Sequence, residues 1–213
     1  MYHLHPSETL RSIFAARPFQ GAEPERASFV FVGLDANYSP DIERSAIFPQ
    51  LLEYLSDGVA FWQKTRVHHP FLLPAYGNKD GTKYHRTFAT IGFRPEHAHL
   101  VSFVEILHLP TYGRSSLDVR DLDASHLQRL DRVIRAGSAR YVFIPAGVAR
   151  LMRASGAFPW LPKVAESEGG ALTVWHRTAT TTIYCHYHLS TYGHQEQKKR
   201  EQIAEIRSLV KDA

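Results

Sequence analysis

Two stretches of the chain hold residues that could do chemistry together. In Phe29-Val-Phe-Val-Gly-Leu-Asp-Ala-Asn-Tyr-Ser-Pro-Asp41 an apolar run breaks at Gly33, and Asp35, Asn37, Tyr38 and Ser39 follow. Far down the chain, Thr182-Ile-Tyr-Cys-His-Tyr-His188 runs into Leu189-Ser-Thr-Tyr-Gly-His194. A carboxylate just past a buried strand can activate water or stabilise a cationic transition state. A histidine facing it can stabilise the charge that develops on a leaving group. Asp35 and His188 on adjacent strand ends are therefore a candidate pair. The plainer readings are a loop-capping aspartate and a histidine that caps a turn.

Two other arrangements compete. His186 and His188 alternate along a strand, so both rings would face one side. His68-His69, His97 with His99, and His3 with His5 add candidate zinc ligands. Zinc takes three or four such groups, and nothing in their spacing matches a closed metal motif. In a chain with 13 histidines, partly exposed or hydrogen-bonded structural histidines are the plainer explanation of each pair. The third arrangement binds nucleic acid without chemistry, through Tyr84, His85, Arg86, Tyr112, Arg114 and Tyr192; the plainer reading makes these core or rim residues. Neither GxxxxGK[ST] nor GxGxxG occurs, which removes the sequence support for nucleotide binding, and there is no GxSxG nucleophile elbow.

The elements that must position these groups follow from periodicity. Residues 29–34 are uniformly apolar, as expected for a strand buried on both faces. Open α/β sheets bind ligands at the carboxyl ends of such strands. Residues 97–107 and 140–144 give a second and a third strand, with Glu105 interrupting the apolar end of the second. Residues 172–175 and 181–185 are strand-like. Helical spacing appears at 44–64, at 82–92 with Thr82 as its cap, from Asp123 or Ser125 to Gly137, after Gly147, and over 195–212. Residues 1–27 read as a short helix from Ser7 or Glu8, then a loop. Residues 66–81 form a long loop rich in Pro, Gly, His and aromatics, of the kind that tends to carry function. Strands alternating with helices predict an α/β fold with a mainly parallel sheet.

Composition sets the outer bounds. The 213 residues suit one domain, 1–213, with no linker or repeat. Hydrophobic residues make up 44% and charged ones 22%, as in soluble globular chains. No apolar run is long enough to span a bilayer, and the start of the chain lacks the regions of a signal peptide. The lone cysteine, Cys185, allows no disulfide within the chain and no cluster held by four thiolates. A cytoplasmic location is the expectation. The net charge of +4 permits an anionic partner without demanding one.

The motifs themselves resemble a known family. Gly33-Leu-Asp-Ala-Asn-Tyr38 is similar to the first motif of the uracil-DNA glycosylase superfamily, GQDPYH or GINPG, at Gly33 and Asp35. His188-Leu-Ser-Thr191 is similar to the second, HPSP, at His188 and Ser190. Lys83-Tyr-His-Arg-Thr-Phe-Ala-Thr-Ile-Gly-Phe93 resembles the helix before the second strand in the mismatch-specific branch. Phe103-Val-Glu-Ile-Leu-His-Leu-Pro-Thr111 resembles that strand and its exit. The resemblance covers about residues 29–195.

It implies a three-layer α/β/α sandwich on a central four-stranded parallel sheet, with 172–175 as an addition. The implied reaction hydrolyses the N-glycosidic bond of uracil in DNA, after flipping the nucleotide into a pocket, with hypoxanthine or another deaminated base as the alternative substrate. The enzyme would act as a monomer, without metal or cofactor. Asp35 would position water and stabilise the sugar oxocarbenium. Backbone amides around Leu34, with His188, would bind the uracil oxygen that gains charge. Gly33, Asn37, Tyr38 and Glu105 would line the base pocket, and Phe71 would stack on the base, with Phe61 and Tyr76 as alternatives. Ser190 would contact a phosphate, and Thr191, Tyr192 and His194 would form the loop that wedges into the duplex. Several positions depart from the family. Ala36 and Leu189 replace prolines, Asn37 replaces the tyrosine that excludes thymine, and Glu105 or Val104 falls where an asparagine reads uracil. These departures imply an outlying branch.

Overall fold

The computed structural model describes residues 2–77, 81–113 and 116–211. Arg114, residues 78–80 of the long loop, and Asp212 at the end of the expected last helix lie outside them. In chain order the elements are β1 (His3–Leu4), α1 (Glu8–Ala16), β2 (Phe19–Gly21), β3 (Phe29–Gly33), α2 (Phe48–Ser56), α3 (Gly58–Thr65) and α4 (Thr82–Ala89). Then follow β4 (Val101–Glu105), β5 (Thr111–Tyr112), α5 (Ala124–Ala136), β6 (Tyr141–Pro145), α6 (Ala146–Ala154), β7 (Glu166–Ser167), β8 (Thr173–Arg177), β9 (Thr182–His186) and α7 (Glu196–Lys211).

The fold is α/β, and among the described residues its sheet has seven strands, more than the four expected, in the order β2-β4-β3-β6-β9-β8-β7. β4, β3, β6 and β9 run parallel, while β2, β8 and β7 pair antiparallel at the flanks. β2 lies in the segment expected to be loop. Three residues are too few to show an alternating pattern. β8 is the expected addition and forms a hairpin with β9.

The unbroken apolar run of β3 has a direct cause. Val30 and Val32 pack with Val104, Val142, Ile144 and Ile183 against Leu127, Leu130 and Ile134 of α5 and Val148 and Met152 of α6. Phe29 and Phe31 face the other way, into Phe103, Phe143 and Tyr184, against Trp62 of α3, Phe88 of α4 and Ile203 and Ile206 of α7. Both faces are covered, so neither can be polar. A third cluster joins Leu10 and Phe14 of α1 to Tyr38, Leu51, Tyr54, Phe61, Phe71 and Tyr76. This satellite core anchors the chain after β3 and the long loop to each other.

Helix ends follow local chemistry. Ser7 caps α1 by accepting from the Leu10 N–H at 3.1 Å. Asp57 caps α3 and splits the 44–64 segment into two helices. Asp123 caps α5, its Oδ1 accepting from His126 at 2.7 Å. Thr82, expected as a cap, is the first residue of α4, and Gly81 holds the cap position.

Candidate functional site

The exits of β3, β4, β6 and β9 open on one side of the sheet into a cavity of about 300 Å³. Gly33, Leu34, Asp35, Asn37, Tyr38, Phe71, Glu105, His188 and Ser190 all line it. The sequence suggested that Asp35 and His188 sit on adjacent strand ends, but their strands are not neighbours. β6 runs between them, and its last residue, Pro145, lines the cavity wall between the two groups. Chain order does not encode strand order, so this correction was out of reach of the sequence.

Asp35 is held by the segment after β4. Thr111 is fully buried, and its hydroxyl donates to Asp35 Oδ2. The chain there pairs with Asn37 as an isolated parallel bridge, through Tyr38 N–H to Thr111 O at 3.0 Å and Thr111 N–H to Ala36 O at 2.9 Å. Asn37 lines the cavity as expected, yet its amide is not free to read a base. It donates to Thr111 Oγ1 at 3.0 Å, Gly113 O at 2.8 Å and, more weakly, Asp35 Oδ2 at 3.4 Å. Asn37 and Thr111 therefore form a brace that fixes the carboxylate's direction. β1 backs this brace by pairing with β5, and His5 Nε2 bonds Ser39 O at 2.9 Å.

Glu105 ends β4 directly opposite Gly33. A Cβ on Gly33 would lie 2.7 Å from Glu105 Cδ and collide with Oε2. Only glycine leaves room for this carboxyl. Burial first, and then the neighbouring Asp35 charge, push Glu105 up to about 8. At neutral pH it is thus mainly an uncharged acid, with one donor and an acceptor oxygen.

His188 stands at the mouth, exposed to solvent. Its Nδ1 accepts from the Ser190 N–H at 3.4 Å and lies 2.7 Å from Ser190 Oγ. Nδ1 as acceptor puts the ring proton on Nε2. Crowding by the protein lowers the His188 pKa, against the opposing pull of Asp35, so the ring is neutral. Its loop is pegged from below. Leu189 is buried, and the buried Lys199 ammonium donates to Thr191 O at 2.6 Å and Glu196 at 3.0 Å.

The rest of the expected site divides between wall and rim. Phe71 stacks on Tyr76 at 4.3 Å, and its edge abuts Gly81. With φ of +84° and a Cβ position 2.6 Å from Phe71 Cε2, position 81 admits little but glycine. Phe61, one alternative, is buried in the satellite core, and Tyr76, the other, stacks on Phe71. Thr191, Tyr192 and His194 do not line the cavity. They form the loop beside it, where Tyr192 is 77% exposed with Lys83 Nζ 4.6 Å above its ring.

Sequence reasoning did not assign Gln20, Lys83, His69 and Phe103 to this wall, nor Tyr84 and His85 to a cavity. The period-2 side of β4 that carries Glu105 also carries Phe103, the one signal that was available. His85 is stacked on His69 at 3.6 Å, and its Nδ1 lies 3.1 Å from His68 Nε2. Burial lowers all three, His85 to about 3. His186 is likewise lowered to about 3, chiefly by burial. Among the described residues no group of three or more His, Cys, Asp or Glu side chains could hold a metal ion. No helix among them is long and apolar enough to cross a membrane. No family model matches the sequence, and no curated protein matches it significantly.

Proposed function

We propose that this chain is a DNA glycosylase that hydrolyses the N-glycosidic bond of uracil, as an outlying branch of the uracil-DNA glycosylase superfamily. The run β4-β3-β6-β9 is read as that superfamily's four parallel strands, with helices on both faces forming its three layers. The observation that carries the reading is a braced Asp35 carboxylate and a neutral His188 lining one base-sized cavity, with the histidine proton on Nε2.

In this reading a uracil enters the cavity beside Phe71, and its sugar stays at the mouth near Asp35. The C1′–N1 bond breaks and its electron pair leaves with the base. Asp35 stabilises the oxocarbenium and orients water, whose oxygen bonds to C1′. The His188 Nε2–H donates to the oxygen that gains charge. A neutral donor suits this place because it adds no positive charge beside the cationic sugar. The water's proton passes through Asp35 and solvent to the departed base, which balances the hydrolysis. Glu105, as a neutral acid, offers a donor and an acceptor side by side, the pattern of an amide, and can read uracil N3–H and O4 together.

The surroundings favour a polyanion. Lys83 and Tyr192 stand together at the wedge loop, and Arg86, Lys199, Arg200 and Arg207 line a groove between α4 and α7 whose one acid is Glu196. Ser190 and the wedge loop stand at the same edge, where a strand flanking the flipped nucleotide would pass. The test is detection of free uracil by chromatography after incubating the chain with a uracil-containing oligonucleotide in chelator. Free uracil with an intact backbone is expected. Backbone scission without free base, or activity that chelator abolishes, would contradict the reading.

A further inference from the structure

Asp35 and Glu105 leave neighbouring parallel strands into the same cavity, yet their surroundings are opposite. The Asp35 carboxylate is met by donors, the Thr111 hydroxyl and, more weakly, the Asn37 amide at 3.4 Å. Glu105 is met by none. Burial and the Asp35 charge act on its carboxyl, and among the described residues no hydrogen bond or cation offsets them. Two carboxyl groups so placed share one proton, and the less solvated group without donors holds it. The acid is also fixed in place. β4 sets it opposite Gly33, and His126 Nε2 on α5 donates to its backbone carbonyl at 2.7 Å. Reading a base does not by itself call for an acid here. An amide offers the same donor and acceptor without placing a second carboxyl beside Asp35. What the carboxyl adds is a proton it can give away, and a held, uncharged acid facing an ionised one across a ligand cavity is how acid and base roles are divided between two such groups.

We propose that Glu105 is a catalytic general acid, which passes its proton to O4 of the base as the C1′–N1 bond breaks. The proposal rests on the glycosylase reading above. The electron pair of the C1′–N1 bond flows through the ring toward O4. An O4–H bond forms there as the Glu105 O–H bond breaks, so the base departs as a neutral enol tautomer and not as an anion. The oxygen of water bonds to C1′, and its proton goes to Asp35. Before the step Asp35 is charged and Glu105 neutral; after it the two have exchanged states. The pair carries one negative charge throughout, and proton exchange through solvent resets it. The His188 Nε2–H remains the donor to the oxygen nearer the glycosidic bond.

The experiment compares Glu105→Gln with the wild type in single-turnover release of uracil and of 5-fluorouracil from oligonucleotides, in mildly acidic buffer. Glutamine keeps a donor and an acceptor for the base but has no proton to give. The ring fluorine is little larger than hydrogen and stabilises the departing anion, so 5-fluorouracil has less need of an acid. Release of uracil should fall by about a hundredfold or more in the variant, and release of 5-fluorouracil by about tenfold or less, as expected when a general acid is lost. Equal losses on the two bases, or a uracil rate close to that of the wild type, would overturn the inference and leave the glycosylase reading standing. No release of either base by the wild type would remove both. If the variant fails to fold, the wild type alone supplies the test. A larger slowing in heavy water on uracil than on 5-fluorouracil supports the proton transfer, and equal slowing on both removes it.

Discussion

Replacing Glu105 with glutamine removes a titrating group from the centre of the site and keeps its shape. The carboxyl titrates at about 8 in the folded chain, against an ordinary value of 4.5. Between those values the folded state holds a proton that the unfolded state has lost, so stability falls as pH rises. The contribution is complete below the unfolded value and is lost as pH climbs through the folded one. Integrating the difference in bound protons from about pH 5 to pH 8 gives a loss of about 3 to 4 kcal/mol. Glutamine does not titrate, so the variant lacks this loss, and every other group cancels when the two proteins are subtracted. Urea titrations across that range measure it. With a slope near 2 kcal/mol per molar, typical of such chains, the two midpoints should diverge by roughly 1.5 to 2 M from the acid to the alkaline end. In an Asp35→Asn background the divergence should shrink, because the charge that helps raise Glu105 is gone. Midpoints that run parallel across the whole range would refute a buried neutral Glu105, and with it the account of how the base is read.

Other consequences can be checked separately. Gly33→Ala forces a Cβ into the Glu105 carboxyl; overpacking of this kind costs about 1 to 3 kcal/mol, and the double variant with Glu105→Ala should recover most of it in thermal melts. Thr111→Val deletes the hydroxyl that orients Asp35 and should lower kcat at least tenfold with little change in KM, read by single-turnover and steady-state assays. Acid should destabilise the chain through its neutral histidines. His85 and His186 titrate at about 3 when folded, against 6.5 unfolded, so the unfolded state gains protons first and each costs roughly 2 kcal/mol by about pH 5. Replacing His85 with glutamine should flatten that acid limb in denaturation curves.

Much of this arrangement was legible in the chain itself. The apolar run before Gly33 announced a strand buried on both faces because no polar position interrupts it, and the residues after the break had to emerge at the sheet edge. The same logic placed Glu105 and His188 at strand exits. What stayed hidden was lateral order. Nothing in the local pattern says that β6 separates the strands of Asp35 and His188, or that a three-residue β2 carries Gln20 to the far end of the cavity. Short edge strands leave no period to read, and pairing across some eighty residues leaves no local signal. The brace on Asp35 illustrates the same limit. Asn37 was expected at the pocket because it stands where the family has its tyrosine; it does line the cavity, but only its partner Thr111, 74 residues on, shows that its amide turns to brace the carboxylate. The plainer reading of the histidine pair at 68 and 69, as structural groups, fits their packing. His69 and His85 stack on each other in the cavity wall, and His68 packs behind them against Phe88.

The most direct test of the central claim is single-turnover base release by Asp35→Asn beside the wild type, on a uracil-containing oligonucleotide with chelator present. The substitution keeps the size of the side chain and removes its charge, so the fold should persist, as a thermal melt would verify. The account predicts that free uracil forms with wild type and falls by about a hundredfold or more with the variant, the scale expected when a positioned charge acting on the transition state is lost. Release by Asp35→Asn at close to the wild-type rate would contradict it, because the reaction would then be carried by groups other than the carboxylate on which the site is built.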